Sequence, residues 1–207
     1  MTNFTIKRLF GPPMYYTMLD YAFINMLQEI AKETKKKNIN IGRKLAGNIA
    51  HQYQAEMNNL QQEIFTKKIY PHIFNTVKEF GELNSHTDSK LGFDFGGGSW
   101  INFQQAGEFN PYHAHSGQLS AIIYIDVPVE IKEENDNTVI ETNMPRAGMV
   151  NFIFGSDGYG TQSSYAHQPK TGEMFIFPAS LQHLVYPFKS NVERISMSFN
   201  IYNIKSE

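Results

Sequence analysis

Beyond Leu83 the apolar residues of this chain stop recurring every three or four positions and begin to alternate. Eight short β-prone runs follow, at 91–95, 100–103, 119–127, 138–141, 149–154, 174–177, 183–188 and 194–202, separated by stretches that carry Gly, Asn, Asp and Pro. Strands this short at this spacing, with no helical pattern between them, build an antiparallel sandwich or barrel, and a jelly roll is the natural form. With 16 Phe and 11 Tyr, the chain has the flat side chains that suit such an interior.

The first part reads differently. From position 15 to about 35, Leu19, Phe23, Met26, Leu27, Ile30 and Ala31 recur at helical spacing, and Lys35, Lys36 and Lys37 close that helix as a solvated, dipole-complementing end. A second helix is expected over about 42–65. A third is expected over 69–80, with Pro71 in its first turn, where a missing N–H does no harm. The polar stretch 84–89 reads as the turn that joins the two parts. The run Gly96-Gly97-Gly98 reads as a turn between strands and not as a phosphate cradle, because no helix pattern follows it. At 207 residues the whole is expected to form one domain, helical over 1–89 and β over 90–207.

Composition removes several function classes. A net charge of −2 provides no global field toward nucleic acid or a membrane surface. With no cysteine there is no disulfide, no thiolate metal site and no cysteine nucleophile, a usage that fits a reducing cytoplasm. The N-terminal residues lack the apolar core of a secretion signal, and no run approaches the ~20 apolar residues that span a bilayer.

Chemistry concentrates in the β part. In an extended segment His113 and His115 project from one face and can converge on one metal ion. His183 follows a strand that ends in a proline turn, so a neighbouring strand can deliver a third imidazole. Arg194, Ser196, Ser198 and Asn200 share one face of the last strand, with Ile195, Met197 and Phe199 on the other. Ser198 is expected to face solvent, whereas an arginine beside a histidine cluster is shaped to grip a carboxylate through two parallel hydrogen bonds. The other histidines, His51, His72, His86 and His167, read as structural, and His167 lies in a loop at 165–169 that borders a pocket in this reading.

Taken together, Trp100-Ile-Asn102, Asn110-Pro-Tyr-His-Ala-His115, Leu119-Ser-Ala-Ile-Ile-Tyr124, Gly172-Glu-Met-Phe-Ile-Phe-Pro178, His183 and Arg194-Ile-Ser-Met-Ser-Phe-Asn200 resemble the 2-oxoglutarate/Fe(II)-dependent oxygenases, in particular a bacterial and phage group. Leu9-Phe-Gly-Pro-Pro13 and the helices after it share the likeness more faintly. The resemblance implies a mainly β chain with N-terminal helices packed on the outer sheet of a double-stranded β-helix, a cupin-like jelly roll. It also implies Fe(II) held by His113, His115 and His183, and 2-oxoglutarate held at its far carboxylate by Arg194, with Ser196 and Tyr124 assisting. O₂ would be consumed, succinate and CO₂ released, and a substrate C–H bond hydroxylated. A protein side chain is the preferred substrate by analogy and a small molecule the alternative, with 130–137 and 155–171 as candidate lids.

His115 stands where the wider superfamily has an acid, giving either an all-histidine triad or a metal with one ligand fewer. A cupin-type metal enzyme that does not use 2-oxoglutarate matches Gly107 and the following His113-Ala-His115. It would, however, carry glutamate where Leu119 or Ser120 stands and glycine at Ser180, and it has no need of Arg194. A zinc hydrolase would need a general base that the trio lacks. A sugar-binding or structural jelly roll would bind its ligand without the histidines.

Overall fold

The computed structural model of the protein describes residues 5–7, 11–80, 90–137, 143–156, 158–159 and 162–206. The strand expected at 138–141, the turn at 84–89 and His86 lie outside them. Two antiparallel sheets face each other. The larger runs in the order β1 (Thr5–Lys7), β2 (Met14–Met18), β10 (Glu173–Pro178), β7 (Leu119–Asp126), β12 (Arg194–Ser206), β5 (Ser99–Gln104) and β3 (Gln52–Gln54), with β4 (Leu91–Asp94) pairing β12. The smaller runs β6 (Asn110–His113), β11 (Gln182–Val185), β8 (Val150–Ile153) and β9 (Ser164–His167). This is the expected jelly roll, and its helices α1 (Tyr21–Lys37) and α2 (Asn59–Glu79) cover the outer face of the larger sheet.

Strand alternation decides what each face of that sheet does. Ile101 and Phe103 of β5, Ala121, Ile123 and Ile125 of β7, Met174 and Ile176 of β10, and Met197, Phe199 and Ile201 of β12 point outward. There they pack against Phe23, Leu27 and Ile30 of α1 and Phe65, Ile69 and Ile73 of α2. Each such buried side chain contributes about 1.5–3 kcal/mol, so the helices are held by this layer far more than by their exposed ion pairs. The alternate residues point between the sheets. Near one end Tyr124, Phe152, Phe175, Phe177, Leu181 and Val185 form a second apolar cluster.

The N-terminal part departs from its expected course. Residues 14–18 form strand β2, because α1 starts only where Asp20 caps it, Oδ1 accepting from the Phe23 amide at 2.9 Å. Instead of a helix over 42–65 there is one 3₁₀ turn at Gly42–Lys44 and then the edge strand β3. Asn58 and Gln61 next form a reciprocal capping box that opens α2 ten residues ahead of the expected third helix. Pro71 therefore sits inside α2, on its exposed side. In the second part, residues 130–137, read as a loop, lie in α3 (Val129–Asn137), and 155–171 contains β9.

At the far end of the interior from the histidine trio, Glu173 is 1% exposed. Its carboxylate accepts from the Tyr16 hydroxyl at 2.8 Å, His167 Nε2 at 2.7 Å and the Lys170 amide at 2.9 Å. His167 thus belongs to a buried network in a strand and not to a pocket rim. Burial opposes ionisation of Glu173, but His167, Tyr16 and the Lys170 amide outweigh it and hold the carboxyl below its ordinary 4.5. A depressed carboxyl contributes stability above the unfolded value and loses it as pH falls through the folded one. Glu173→Gln is expected to cost about 1–3 kcal/mol at neutral pH. It should also flatten the loss of stability below pH 4.5, measured by urea unfolding across pH; an unchanged acid limb would rule out this role.

Candidate metal centre and its cavity

β6 and β11 pair antiparallel with His113 directly opposite His183, and His183 in turn faces Phe152 on β8. After His113 the chain leaves the strand, and two residues on the His115 amide donates to Ala179 O at 2.9 Å, which anchors this third histidine over the same spot. Ring centroids lie 4.9 Å apart for His113 and His115, 4.3 Å for His113 and His183, and 5.0 Å for His115 and His183. One ligand nitrogen from each lies within 4.8 Å of the others.

Local hydrogen bonds set the tautomers. A carbonyl only accepts, so His113 Nδ1 donates to Pro111 O at 2.7 Å and His183 Nδ1 donates to Leu181 O at 2.9 Å. Both rings then turn a bare Nε2 lone pair toward the shared space, as a metal-ligating imidazole requires. His115 Nε2 lies 3.2 Å from His183 Nε2. Burial lowers the pKa of all three: His113 falls, His115 drops to about 4 with His113 adding repulsion, and His183 drops to about 3 for the same two reasons. Three neutral nitrogen donors fit a divalent first-row ion, iron among them.

A cavity of about 300 Å³ opens beside the trio and reaches Arg194. Arg194 is 3% exposed; its Nη1 donates to Gly148 O and its Nη2 to Gln104 Oε1, while Nε has no partner. Burial weighs against its charge, and no carboxylate among the described residues pairs with it. The guanidinium lies 5.7 Å from the ring centre of Tyr124, which is fully buried behind the wall with its hydroxyl unpartnered. Burial pushes that hydroxyl's pKa up, so it remains a donor. Ser196 lines the cavity and accepts from Asn102 Nδ2 at 3.5 Å. Every expected site residue except Tyr124 thus reaches the cavity wall.

Ser198, expected in solvent, is buried and also lines the cavity, because the polar face of β12 looks inward and its apolar face looks out to the helices. Sequence reasoning gave no role to Gln52, Gln104 and Asn110, which share the wall. Gln52 donates through Nε2 to Asn102 Oδ1 at 2.9 Å, leaving its own Oε1 and Asn110 Oδ1 without partners. A signal was present in β5, where Trp100, Asn102 and Gln104 recur at alternate positions opposite Ile101 and Phe103. Among the described residues no aspartate or glutamate lines the cavity.

Residues 98–200 match the sequence model of the family described as "Putative 2OG-Fe(II) oxygenase". No curated protein sequence is similar to the chain at a significant level. Among solved structures, the α-ketoglutarate-dependent carbocyclase SnoK from nogalamycin biosynthesis superposes with a TM-score of 0.59 at 14% identity, covering 94% of this chain and 81% of that one. A prolyl-4-hydroxylase of Pseudomonas putida gives 0.54 at 11% identity, covering 90% and 91%. A Trichoplax adhaerens prolyl hydroxylase, solved with a hypoxia inducible factor peptide fragment, gives 0.55 at 12% identity, covering 98% and 84%. At these identities the likeness is one of fold.

Proposed function

The chain belongs to the 2OG-Fe(II) oxygenases, oxidoreductases that use Fe(II), 2-oxoglutarate and O₂, and from that premise we propose that His113, His115 and His183 hold the iron, that Arg194, Ser196 and Tyr124 hold the far carboxylate of the cosubstrate, and that a substrate C–H bond is hydroxylated. One observation carries the assignment: a buried guanidinium that no acid among the described residues neutralises faces, across a single cavity, three clustered imidazoles, two of them held in the ligating tautomer. A buried cation without a counter-ion is costly, and a dicarboxylate that bridges the two ends relieves that cost.

When bound, the iron supplies, with 2-oxoglutarate and O₂, an oxidant able to cleave an aliphatic C–H bond while the cosubstrate leaves as succinate and CO₂. The chain's own residues do the rest. Arg194 Nε is a donor in waiting for the carboxylate, Tyr124 backs the guanidinium from behind the wall, and Gly148 O and Gln104 Oε1 keep the guanidinium plane fixed before the cosubstrate arrives. Leu181 O and Pro111 O hold two imidazoles in the ligating tautomer. Phe152, tilted at 5.8 Å, and Phe177, edge-on at 5.1 Å from the His183 ring, keep water from that side. Residues 1–207 act in this proposal as one catalytic unit, because the N-terminal helices and β2 complete the layer beneath the site. No described helix is long and apolar enough to cross a membrane; the cysteine-free composition favours a reducing cytoplasm.

Anaerobic titration with Fe(II) tests the proposal. The visible metal-to-ligand charge-transfer band should form only when iron and 2-oxoglutarate are both present, and its absence would sink the reading. The same titration on His115→Asp examines the triad. If His115 is a ligand, the swap brings in a charged donor and should change Fe(II) affinity by roughly tenfold or more. Unchanged affinity and band would make His115 a bystander.

A further inference from the structure

A smaller chamber of about 200 Å³ adjoins the histidine cavity. Lys44, Leu45, Trp100 and Asn200 line both, so these four residues form their common boundary. Phe95 and Tyr202 bring two more rings to the second chamber. Ser116 Oγ, 2.7 Å from the Tyr202 hydroxyl, fixes that ring at its tip. The Gly96-Gly97-Gly98 turn makes this arrangement possible. At Gly96, whose φ is +52°, an added Cβ would lie 2.4 Å from the Tyr202 ring, whereas Gly97 and Gly98 line the chamber itself.

The charges around the joined chambers have one sign. Among the described residues no aspartate or glutamate lines either. Lys44 is exposed and has no carboxylate partner among the described residues. Asn200 stands six positions along β12 from Arg194, roughly 20 Å of strand. A five-carbon diacid gripped by Arg194 therefore leaves Lys44 free for a second anion.

Resting on the oxygenase reading above, we propose that this chamber is the primary-substrate subsite and takes the ring of a small aromatic carboxylic acid. Its carboxylate lies on Lys44 and its reacting carbon on the Trp100 side, toward the imidazoles. Flat rings stack favourably on Trp, Tyr and Phe faces, and a chamber of this size holds one ring, not a folded peptide segment. The substrate is thereby shifted from the protein side chain suggested by analogy to a small acid.

Trp100 is the chain's single tryptophan, so its fluorescence reports filling of the chamber directly. In anaerobic protein loaded with Fe(II) and saturating 2-oxoglutarate, phenylacetate should change that fluorescence saturably, and phenethylamine over the same range should not. Lys44→Glu, at an exposed position outside the metal and cosubstrate sites, should weaken phenylacetate roughly tenfold or more and favour phenethylamine, with the charge-transfer band intact. No saturable response to phenylacetate, or a Lys44→Glu protein that titrates like the parent, would overturn the subsite. Tighter binding of a neutral prolyl peptide than of phenylacetate would overturn the small-acid assignment. Failure of the band itself, in the unsubstituted protein, would instead strike the oxygenase reading beneath.

Discussion

His183→Ala should empty the metal site. His183 is 6% exposed, set in β11 opposite His113, and its Nδ1–H is committed to Leu181 O, so its Nε2 is the most rigidly aimed of the three donors. Removing it leaves two half-buried imidazoles, one at the end of β6 and one just past it, a bidentate site open to water. Even loss of a partner that only orients a ligand costs 10–100-fold in metal affinity, so losing the ligand itself should cost more than roughly 100-fold. Iron content after purification and dialysis, measured by mass spectrometry, reads the effect, and far-UV circular dichroism checks that the sheets survive. Added imidazole should restore part of the binding by refilling the space the ring occupied. Full iron occupancy in the variant would remove His183 from the site.

Arg194→Ala should separate cosubstrate binding from metal binding. In the proposed complex its guanidinium meets the distal carboxylate in a buried, water-poor place, where truncating one partner of a charge pair costs about 2–5 kcal/mol. The 2-oxoglutarate concentration needed for half-maximal charge-transfer absorbance should therefore rise by roughly 30- to 4000-fold, while Fe(II) retention stays near that of the parent. Arg194→Lys keeps a charge but loses the planar fork that Gly148 O and Gln104 Oε1 hold in place, so it should recover only part of the loss. An unchanged 2-oxoglutarate requirement in Arg194→Ala would end this assignment. Equal loss of iron and cosubstrate binding would show that the arginine supports the cavity as a whole.

Much of the candidate site was legible because its residues obey strand alternation. His113 and His115 at i and i+2, and Arg194 and Ser196 at the same spacing, share a face in any extended chain, whatever its partners. Alternation does not say which face looks inward. For Ser198 solvent was the natural guess, and it was wrong because two helices cover the apolar face of β12 and leave the polar face to line the interior. Gln52 escaped notice for a related reason: its stretch falls within the helix expected over 42–65, and only pairing with β5 makes it an edge strand. Pro71 misled in the opposite sense, since an exposed proline within a long helix costs less when packing on the buried side holds the helix together.

The sequence by itself determined the class of architecture, the histidines and the arginine, because period, turn residues and side-chain chemistry are local properties that survive any arrangement of the chain. The pairing of β6 with β11, which sets two imidazoles opposite each other, and the adjoining chamber walled by Trp100, Phe95, Tyr202 and Lys44 belong to the tertiary structure alone. Apart from Phe95 and Trp100, those neighbours are separated by tens of residues along the chain. They meet only because burying the apolar side of the larger sheet under α1 and α2 leaves the other side free to enclose a polar cavity.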